Sequence, residues 1–210
     1  MIKAIFWDND GVLVDTERLY YMATQQALSG AGVSLTREQY IEFLLVQGKG
    51  AFHLAAERDI TPEAVEGLRG ERNAIYSNLL EKEQIVVDGA GDVLDRLGKR
   101  YVMGIVTSSR PDHFSIIHKR TGFLKHFQFT IMSGDYTHSK PHPEPYLLAL
   151  TRSGLSPEEC LVIEDSERGL TAANEAGIRC IVIPNEFTRA CNFKGAYKVL
   201  GGIRDLLSVL

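Results

Sequence analysis

The chain has 210 residues, of which 44% are hydrophobic, and its 27 acidic and 23 basic residues leave a net charge of −4. This length and composition suffice for one large domain, or for one domain that carries a smaller inserted domain. The charges are mixed along the chain, so no basic patch predicts a nucleic-acid partner, and an anionic substrate must be bound by a few local cations or a metal ion.

The N-terminal segment and the cysteines predict a cytoplasmic protein without a membrane partner. The apolar stretch before Asp8 is too short for the core of a signal peptide, and no apolar run approaches the length of a membrane span. Cys160, Cys180 and Cys191 are widely spaced and include no Cys-x-x-Cys pair. Neither a disulfide framework nor a structural zinc site is therefore expected.

The first predicted strand, residues 2–7, is followed by helices rather than by a second strand. Helical patterns cover residues 18–28, 37–46, 51–58 and 62–80. Roughly a hundred residues separate the ends of the first two predicted strands, whereas a βαβ unit needs only about 30. We therefore predict two domains: residues 1–15 and 86–210 form a core domain, and residues 16–85 form a helical domain inserted into it.

Four further strands are predicted in the second part of the chain. They cover residues 101–106, 127–132, 160–163 and 179–183, which are short, apolar and rich in β-branched side chains. Helices are predicted for residues 110–121 and 166–176, each ending at a glycine. Strands that alternate with helices predict an α/β fold, here a three-layer Rossmann-like core in which helices cover both faces of a parallel sheet.

Polar residues follow four of the five predicted strands. The four clusters are Asp8-Asn9-Asp10-Gly11, Thr107-Ser108-Ser109, Lys140-Pro141-His142-Pro143 and Glu164-Asp165-Ser166. Because ligands of open parallel sheets bind outside the carboxyl ends of the strands, the four clusters predict a single site.

The carboxylates of this predicted site require a cation. Four of them would meet there, those of Asp8, Asp10, Glu164 and Asp165. Neighbouring carboxylates repel one another unless a cation lies among them or some are protonated. Mg²⁺ is the expected cofactor, because it prefers oxygen ligands and completes its coordination shell with water and phosphate oxygens.

The remaining residues of the site predict phosphoryl transfer. Lys140 and the Thr107 hydroxyl supply positive charge and hydrogen-bond donors for a phosphoryl group. Asp8 can attack phosphorus to form an aspartyl phosphate. Asp10 could protonate the leaving oxygen and later deprotonate the attacking water. An EF-hand calcium loop is excluded, because its spacing requires an acidic residue at Val12.

In this order, the four clusters resemble the four motifs of the haloacid dehalogenase superfamily. The matching segments are residues 8–17, 106–108, 139–144 and 162–169, and the resemblance covers essentially the whole chain. The most similar branch contains β-phosphoglucomutase and the sugar-phosphate and phosphoglycolate phosphatases. This resemblance implies that residues 16–85 form the family's small helical cap.

The resemblance implies a role for each carboxylate. Asp8 would be the nucleophile and a metal ligand. Asp10 would be the acid/base, and its backbone carbonyl would also bind the metal. Asp165 would be a metal ligand, with Glu164 beside it as a further ligand or as a support for the ligands.

The resemblance also assigns the phosphoryl-binding residues, which would be Thr107, Ser108 and Lys140. The chain departs from the family at Asn9, where an apolar residue is usual between the two aspartates. Asn9 could form a local hydrogen bond, and it could perturb the packing behind the nucleophile.

Five residues of the helical segment are candidate substrate contacts: Gln47, Lys49, His53, Arg72 and Tyr76. The first three lie at a break between predicted helices, where substrate-specificity residues of the family fall. The last two lie one helical turn apart and could face the site, although a solvated helix face would show the same spacing.

The preferred interpretation is a phosphatase that acts on a small phosphorylated metabolite, such as a sugar or polyol phosphate. The first alternative is a hexose-phosphate mutase, but mutases of this family carry a histidine near the position of Tyr20. The second is a phosphoryl-ligand-binding protein without turnover, against which the intact motifs argue. A dehalogenase has no use for Asp10, and a phosphonatase would need a Schiff-base lysine, for which Lys49 is the candidate. The architecture is compatible with a monomer.

Overall fold

A computed structural model describes all 210 residues, Met1–Leu210, and contains a six-stranded sheet. Its strands are β1 Ala4–Trp7, β2 Val102–Val106, β3 Phe129–Ile131, β4 Cys160–Glu164, β5 Arg179–Val182 and β6 Lys198–Val199. The spatial order is β3-β2-β1-β4-β5-β6, and all neighbouring strands are parallel. The predicted parallel α/β fold is confirmed. β6 was not predicted, because two exposed residues show no apolar pattern.

Nine α-helices accompany the sheet. They are α1 Glu17–Gly30, α2 Arg37–Tyr40, α3 His53–Ala56, α4 Pro62–Lys82, α5 Ala90–Leu97, α6 Pro111–Thr121, α7 Glu144–Ser153, α8 Glu167–Glu175 and α9 Leu206–Val209. No helix combines the length and the apolar character needed to cross a membrane. The chain divides into two compact units: Met1–Asp15 with Ile85–Leu210 contains the sheet, and Thr16–Gln84 is helical.

Strand β1 lies at the centre of the sheet-containing unit. Ala4 and Phe6 pack on one side with residues of α7 and α8, whereas Ile5 and Trp7 pack on the other with residues of α5, α6 and α9. All four side chains are inaccessible to solvent. Because burying a large apolar side chain contributes about 1.5–3 kcal/mol, β1 is firmly anchored and the residues that follow it start from a defined position.

In the helical unit, two predicted helices are shorter than expected. The predicted helix 37–46 is α-helical only to Tyr40 and continues as a π-helical turn over Ile41–Val46. The predicted helix 51–58 is reduced to α3, which follows Gly48 and Gly50. Both glycines have positive φ values, of 67° and 73°, which end the helical path before α3 begins.

Candidate active site

The turn after β1 brings Asp8 to the carboxyl edge of the sheet. The backbone N–H of Asp8 donates to the carbonyl of Ile163 at 2.9 Å, so the backbone is still held by β4 at this point. The chain then turns at Gly11, whose φ is 88°. A Cβ atom at Gly11 would lie 2.3 Å from Oδ2 of Asp165, so both the backbone conformation and this close approach require glycine.

Lys140 connects the ends of three strands. Its Nζ donates to Asp8 Oδ1 at 2.6 Å, to Glu164 Oε1 at 2.7 Å and to the carbonyl of Val106 at 2.8 Å. Lys140 is only 4% exposed, although lysine is almost never buried without a partner. The structure therefore brings these three residues of the predicted site into direct contact.

The loop that carries Lys140 is held by Glu144 at the start of α7. The Glu144 carboxylate accepts hydrogen bonds from the backbone N–H groups of Thr137 and His138, each at 2.8 Å. These two hydrogen bonds lower the pKa of Glu144 to about 2, so the carboxylate is ionised at neutral pH. The ends of the loop are thereby joined on either side of Lys140.

The buried groups around Lys140 carry an excess of negative charge. Burial raises the pKa of Asp8 to about 8, Lys140 opposes this rise, and the carboxylates of Glu164 and Asp10 add to it. Burial alone would lower the pKa of Lys140, but the neighbouring carboxylates outweigh it and raise that pKa. Lys140 is therefore a permanent cation that does not fully balance the carboxylates.

Glu164 holds Lys140 in place through its carboxylate. Its Oε1 accepts hydrogen bonds from Lys140 and from the Tyr146 hydroxyl at 2.7 Å each, and its Oε2 accepts from the Asp165 N–H at 3.2 Å and the Ser166 hydroxyl at 3.1 Å. A carboxylate has about four lone-pair sites, so these four donors satisfy it. Burial opposes its ionisation, yet Lys140 and the other donors lower the pKa of Glu164.

Gly169 in α8 leaves the space that the Glu164 side chain occupies, because a Cβ atom there would lie 1.9 Å from the Glu164 carboxyl carbon. We expect Gly169→Ala to displace Glu164 and to lower the free energy of unfolding by about 1–3 kcal/mol, since a buried charged group would lose hydrogen bonds. Denaturant unfolding would measure this loss. Gly70→Ala in α4 is the matched control, because no atom lies within 4 Å of its added Cβ. Wild-type stability in Gly169→Ala would contradict the prediction.

Asp10, which follows β1, belongs to a second hydrogen-bonded group together with the hydroxyls that follow β2. Its Oδ2 accepts from the Thr107 hydroxyl at 3.1 Å, from the Ser109 hydroxyl at 2.8 Å and from the Asn9 side-chain amide at 3.3 Å. Ser109 was not among the predicted site residues, although it belongs to the same cluster after the strand. Ser108 instead accepts a hydrogen bond from Arg168 Nη2 at 3.2 Å.

A cation would fit the carboxylates at this edge. Carboxylate oxygens of Asp8, Glu164 and Asp165 lie within 4.8 Å of one another, and all three residues are buried. Three carboxylates beside one ammonium group leave negative charge that oxygen-preferring Mg²⁺ would neutralise. Asn185, which follows β5, donates to Asp165 Oδ2 at 2.6 Å and orients that carboxylate.

Two supporting residues were not predicted, and only one of them carries a signal in the sequence. Asn185 follows a predicted strand, so the rule that located the other clusters would also have found it. Tyr146 lies inside α7, and its contact with Glu164 carries no signal in the sequence, because two segments must pack before the hydroxyl reaches the carboxylate.

Three candidate substrate contacts lie at the break between helices of the helical unit. Gln47 is exposed and donates to Glu42 Oε1 at 2.6 Å, and Lys49 is exposed. His53 is half-buried, and its Nδ1 lies 2.9 Å from the carbonyl of Gly50. Their role as substrate contacts stays a prediction.

The two candidates on α4 are buried within the helical unit. Arg72 donates to the Tyr20 hydroxyl, and its guanidinium lies 4.4 Å from the centre of the Tyr20 ring and 5.4 Å from that of Phe52. Tyr76 packs edge-to-face on Tyr20 at 5.0 Å. These contacts stabilise the helical unit, and a substrate contact for either residue stays a prediction.

A carboxylate and a buried lysine lie in contact at the carboxyl edge of the parallel sheet. This arrangement is typical of an α/β enzyme. A family model described as haloacid dehalogenase-like hydrolase matches residues 5–183. The chain therefore belongs to the haloacid dehalogenase-like hydrolases, as its motifs predicted, and is an enzyme of the phosphatase type.

Individual relatives match nearly the whole chain. Protein CbbY of Cereibacter sphaeroides is 31% identical over 218 aligned positions, covering 98% of this chain and 94% of that protein. The phosphorylated carbohydrates phosphatase of Thermotoga maritima is 27% identical, covering 86% of this chain and 84% of that protein. The crystal structure of CbbY from Rhodobacter sphaeroides in complex with phosphate has a TM-score of 0.85 at 27% identity, covering 98% of this chain and 96% of that one.

Proposed function

We propose that the chain is a Mg²⁺-dependent phosphatase that hydrolyses a small phosphorylated metabolite, a sugar or polyol phosphate, through an aspartyl phosphate on Asp8. The observation that carries this proposal is the contact of the buried Lys140 ammonium group with both Asp8 and Glu164 at the carboxyl edge of the sheet. It fixes a carboxylate nucleophile beside a permanent positive charge, which is the main requirement for phosphoryl transfer.

The reaction has two halves. In the first, a carboxylate oxygen of Asp8 bonds to phosphorus, the bond from phosphorus to the ester oxygen breaks, and Asp10 donates a proton to the leaving alcohol. In the second, water attacks the aspartyl phosphate, Asp10 accepts its proton, and the bond between phosphorus and Asp8 breaks. Inorganic phosphate is released and both aspartates return to their starting states.

Asp8, Asp165 and the backbone carbonyl of Asp10 would hold the magnesium ion. When bound, it would neutralise charge on the phosphoryl oxygens and lower the pKa of Asp8. The four donors around Glu164 support a different role for this residue, because they leave its carboxylate no lone pair to offer. Glu164 would hold Lys140 and the start of α8 in position.

Lys140, Thr107 and Ser108 would bind the phosphoryl group. The Lys140 ammonium group adjoins the nucleophile, so it can stabilise the negative charge of Asp8 and of the phosphoryl oxygens as charge moves from Asp8 towards the leaving oxygen. The Thr107 hydroxyl contacts Asp10, which would keep phosphoryl binding and proton transfer in one hydrogen-bonded group.

The names of the relatives support a sugar phosphate as the substrate. The Thermotoga maritima relative is named a phosphorylated carbohydrates phosphatase, and a CbbY variant 28% identical to this chain has been crystallised with xylulose-(1,5)bisphosphate. We propose that the helical unit, Thr16–Gln84, is the cap that selects the substrate. Mutases of the family carry a histidine near the position of Tyr20. The absence of that histidine here supports water, rather than a sugar, as the final acceptor of the phosphoryl group.

The test is phosphate release, with and without Mg²⁺, from a panel of sugar, polyol and nucleotide monophosphates and from xylulose bisphosphate. We expect release from sugar or polyol phosphates, and its loss on addition of EDTA. Isomerised sugar phosphate without free phosphate would favour the mutase. Neither product from a folded, Mg²⁺-loaded protein would contradict the proposal.

A further inference from the structure

A chain of polar groups, formed by Asn9, His118 and Thr121, lies behind Asp10. Asn9 is inaccessible to solvent and His118 is only 4% exposed. The Asn9 side-chain oxygen lies 3.1 Å from Nε2 of His118, and Nδ1 of His118 lies 3.2 Å from the Thr121 hydroxyl. Asn9 also contacts the Asp10 carboxylate through its side-chain nitrogen.

The direction of each hydrogen bond follows from the chemistry of its partners. Oδ2 of Asp10 accepts hydrogen bonds from the Thr107 and Ser109 hydroxyls, so the amide nitrogen of Asn9 faces this oxygen and the amide oxygen faces His118. Nε2 of His118 must therefore carry the proton, and Nδ1 accepts from Thr121. Burial lowers the pKa of His118 to about 4, so the ring is neutral and has one donor and one acceptor. The backbone N–H of Phe123 donates to the Thr121 hydroxyl at 3.3 Å, which leaves that hydroxyl proton for His118.

His118 orients the side-chain amide of Asn9 rather than merely filling space. His118 packs on the ring of Phe114, with 4.2 Å between ring centres, so its surroundings would also accept apolar side chains. A neutral imidazole with a protonated Nε2 allows only one orientation of the Asn9 amide. That orientation adds a third donor to Oδ2 of Asp10, beside the hydroxyls of Thr107 and Ser109.

We infer that Asn9 and His118 are positioning residues that hold the Asp10 carboxylate in the orientation needed for acid/base catalysis. The inference rests on the proposed function for the role of Asp10. It makes Asn9 and His118 one functional pair, so that changing either should have much the same effect as changing both.

The test compares Asn9→Leu, the double variant Asn9→Leu/His118→Leu, and His118→Gln. Replacing both partners of a buried hydrogen bond by apolar groups can be nearly neutral for stability, so we expect the double variant to fold. Its kcat should fall on the order of 10-fold with little change in KM, as when acid/base assistance is impaired. His118→Gln, whose amide can still donate to Asn9, should keep kcat within about twofold. Phe114→Leu controls for altered packing and should leave kcat unchanged.

A wild-type kcat in the folded double variant would overturn the inference, and so would a loss in His118→Gln as large as that in the double variant. A crystal structure of the double variant gives a second readout that needs no turnover. The inference requires the Asp10 carboxylate to leave Thr107 and Ser109 or to occupy several rotamers, and an unchanged Asp10 would refute it. If wild-type protein releases no phosphate from any substrate, the proposed function fails, and the crystal structure alone decides whether the pair positions Asp10.

Discussion

Asp8→Asn should reduce phosphate release by a factor on the order of 10⁴ or more, because the uncharged amide cannot form the covalent intermediate. The substitution preserves the shape of the side chain, and its amide oxygen can still accept the hydrogen bond from Lys140. The loss should therefore appear in kcat and not in the fold. Steady-state phosphate release at saturating Mg²⁺ would measure it.

Stability provides the internal check on this variant. Because burial raises the pKa of Asp8 from 3.8 to about 8, burying Asp8 costs increasing stability as pH rises between these two values, and the cost is complete above about pH 8. Asp8→Asn removes this cost, so in the absence of metal the variant should be at least as stable as wild type at pH 8. Asp95→Asn, at an exposed position of α5, is the matched control and should keep full activity. More than a few per cent of wild-type turnover in Asp8→Asn would show that Asp8 is not the nucleophile.

Lys140→Met should lower both stability and activity. Its removal leaves the buried carboxylates of Asp8 and Glu164 without their shared cation, which typically costs about 3–5 kcal/mol. For a chain of this size, that loss corresponds to a fall in Tm of roughly 6–20 °C. Phosphate release should fall at least about 10²-fold, because a preorganised charge beside the reacting group is lost. Thermal unfolding and phosphate release would be measured on the same preparation.

A second substitution separates these two effects. Adding Glu164→Gln to Lys140→Met removes one of the two unpaired charges, so part of the stability should return while activity stays low. Lys99→Met, at an exposed position, controls for the loss of a lysine elsewhere in the sheet-containing unit. If Lys140→Met unfolds at the wild-type temperature, the contacts with Asp8 and Glu164 contribute no net stability. If it is also active within tenfold of wild type, Lys140 does not bind the phosphoryl group.

Local sequence patterns determined most of the sheet and the place of the candidate site. The apolar runs predicted β1 to β5, because a buried strand must be apolar along its length. The order of the polar clusters after those strands then predicted that Asp8, Lys140 and Glu164 would meet. Elements with weaker patterns were missed, among them α5, α7 and the short β6. Gly48 and Gly50 also interrupt the helical path before α3 through backbone conformations that an apolar pattern does not reveal.

The hydrogen bonds that support the site were decided only by the tertiary structure. From the sequence, Glu164 could be either a metal ligand or a support for the ligands. In the structure it accepts hydrogen bonds from the Tyr146 hydroxyl and the Lys140 ammonium group, which belong to other segments of the chain. Asn9 stood out as a departure from the family, but its partner lies 109 positions away on α6. A residue type indicates what a side chain can donate or accept, whereas its partners depend on which segments pack together. For this reason the sequence by itself predicted the candidate catalytic groups, and the folded chain alone revealed what holds them in place.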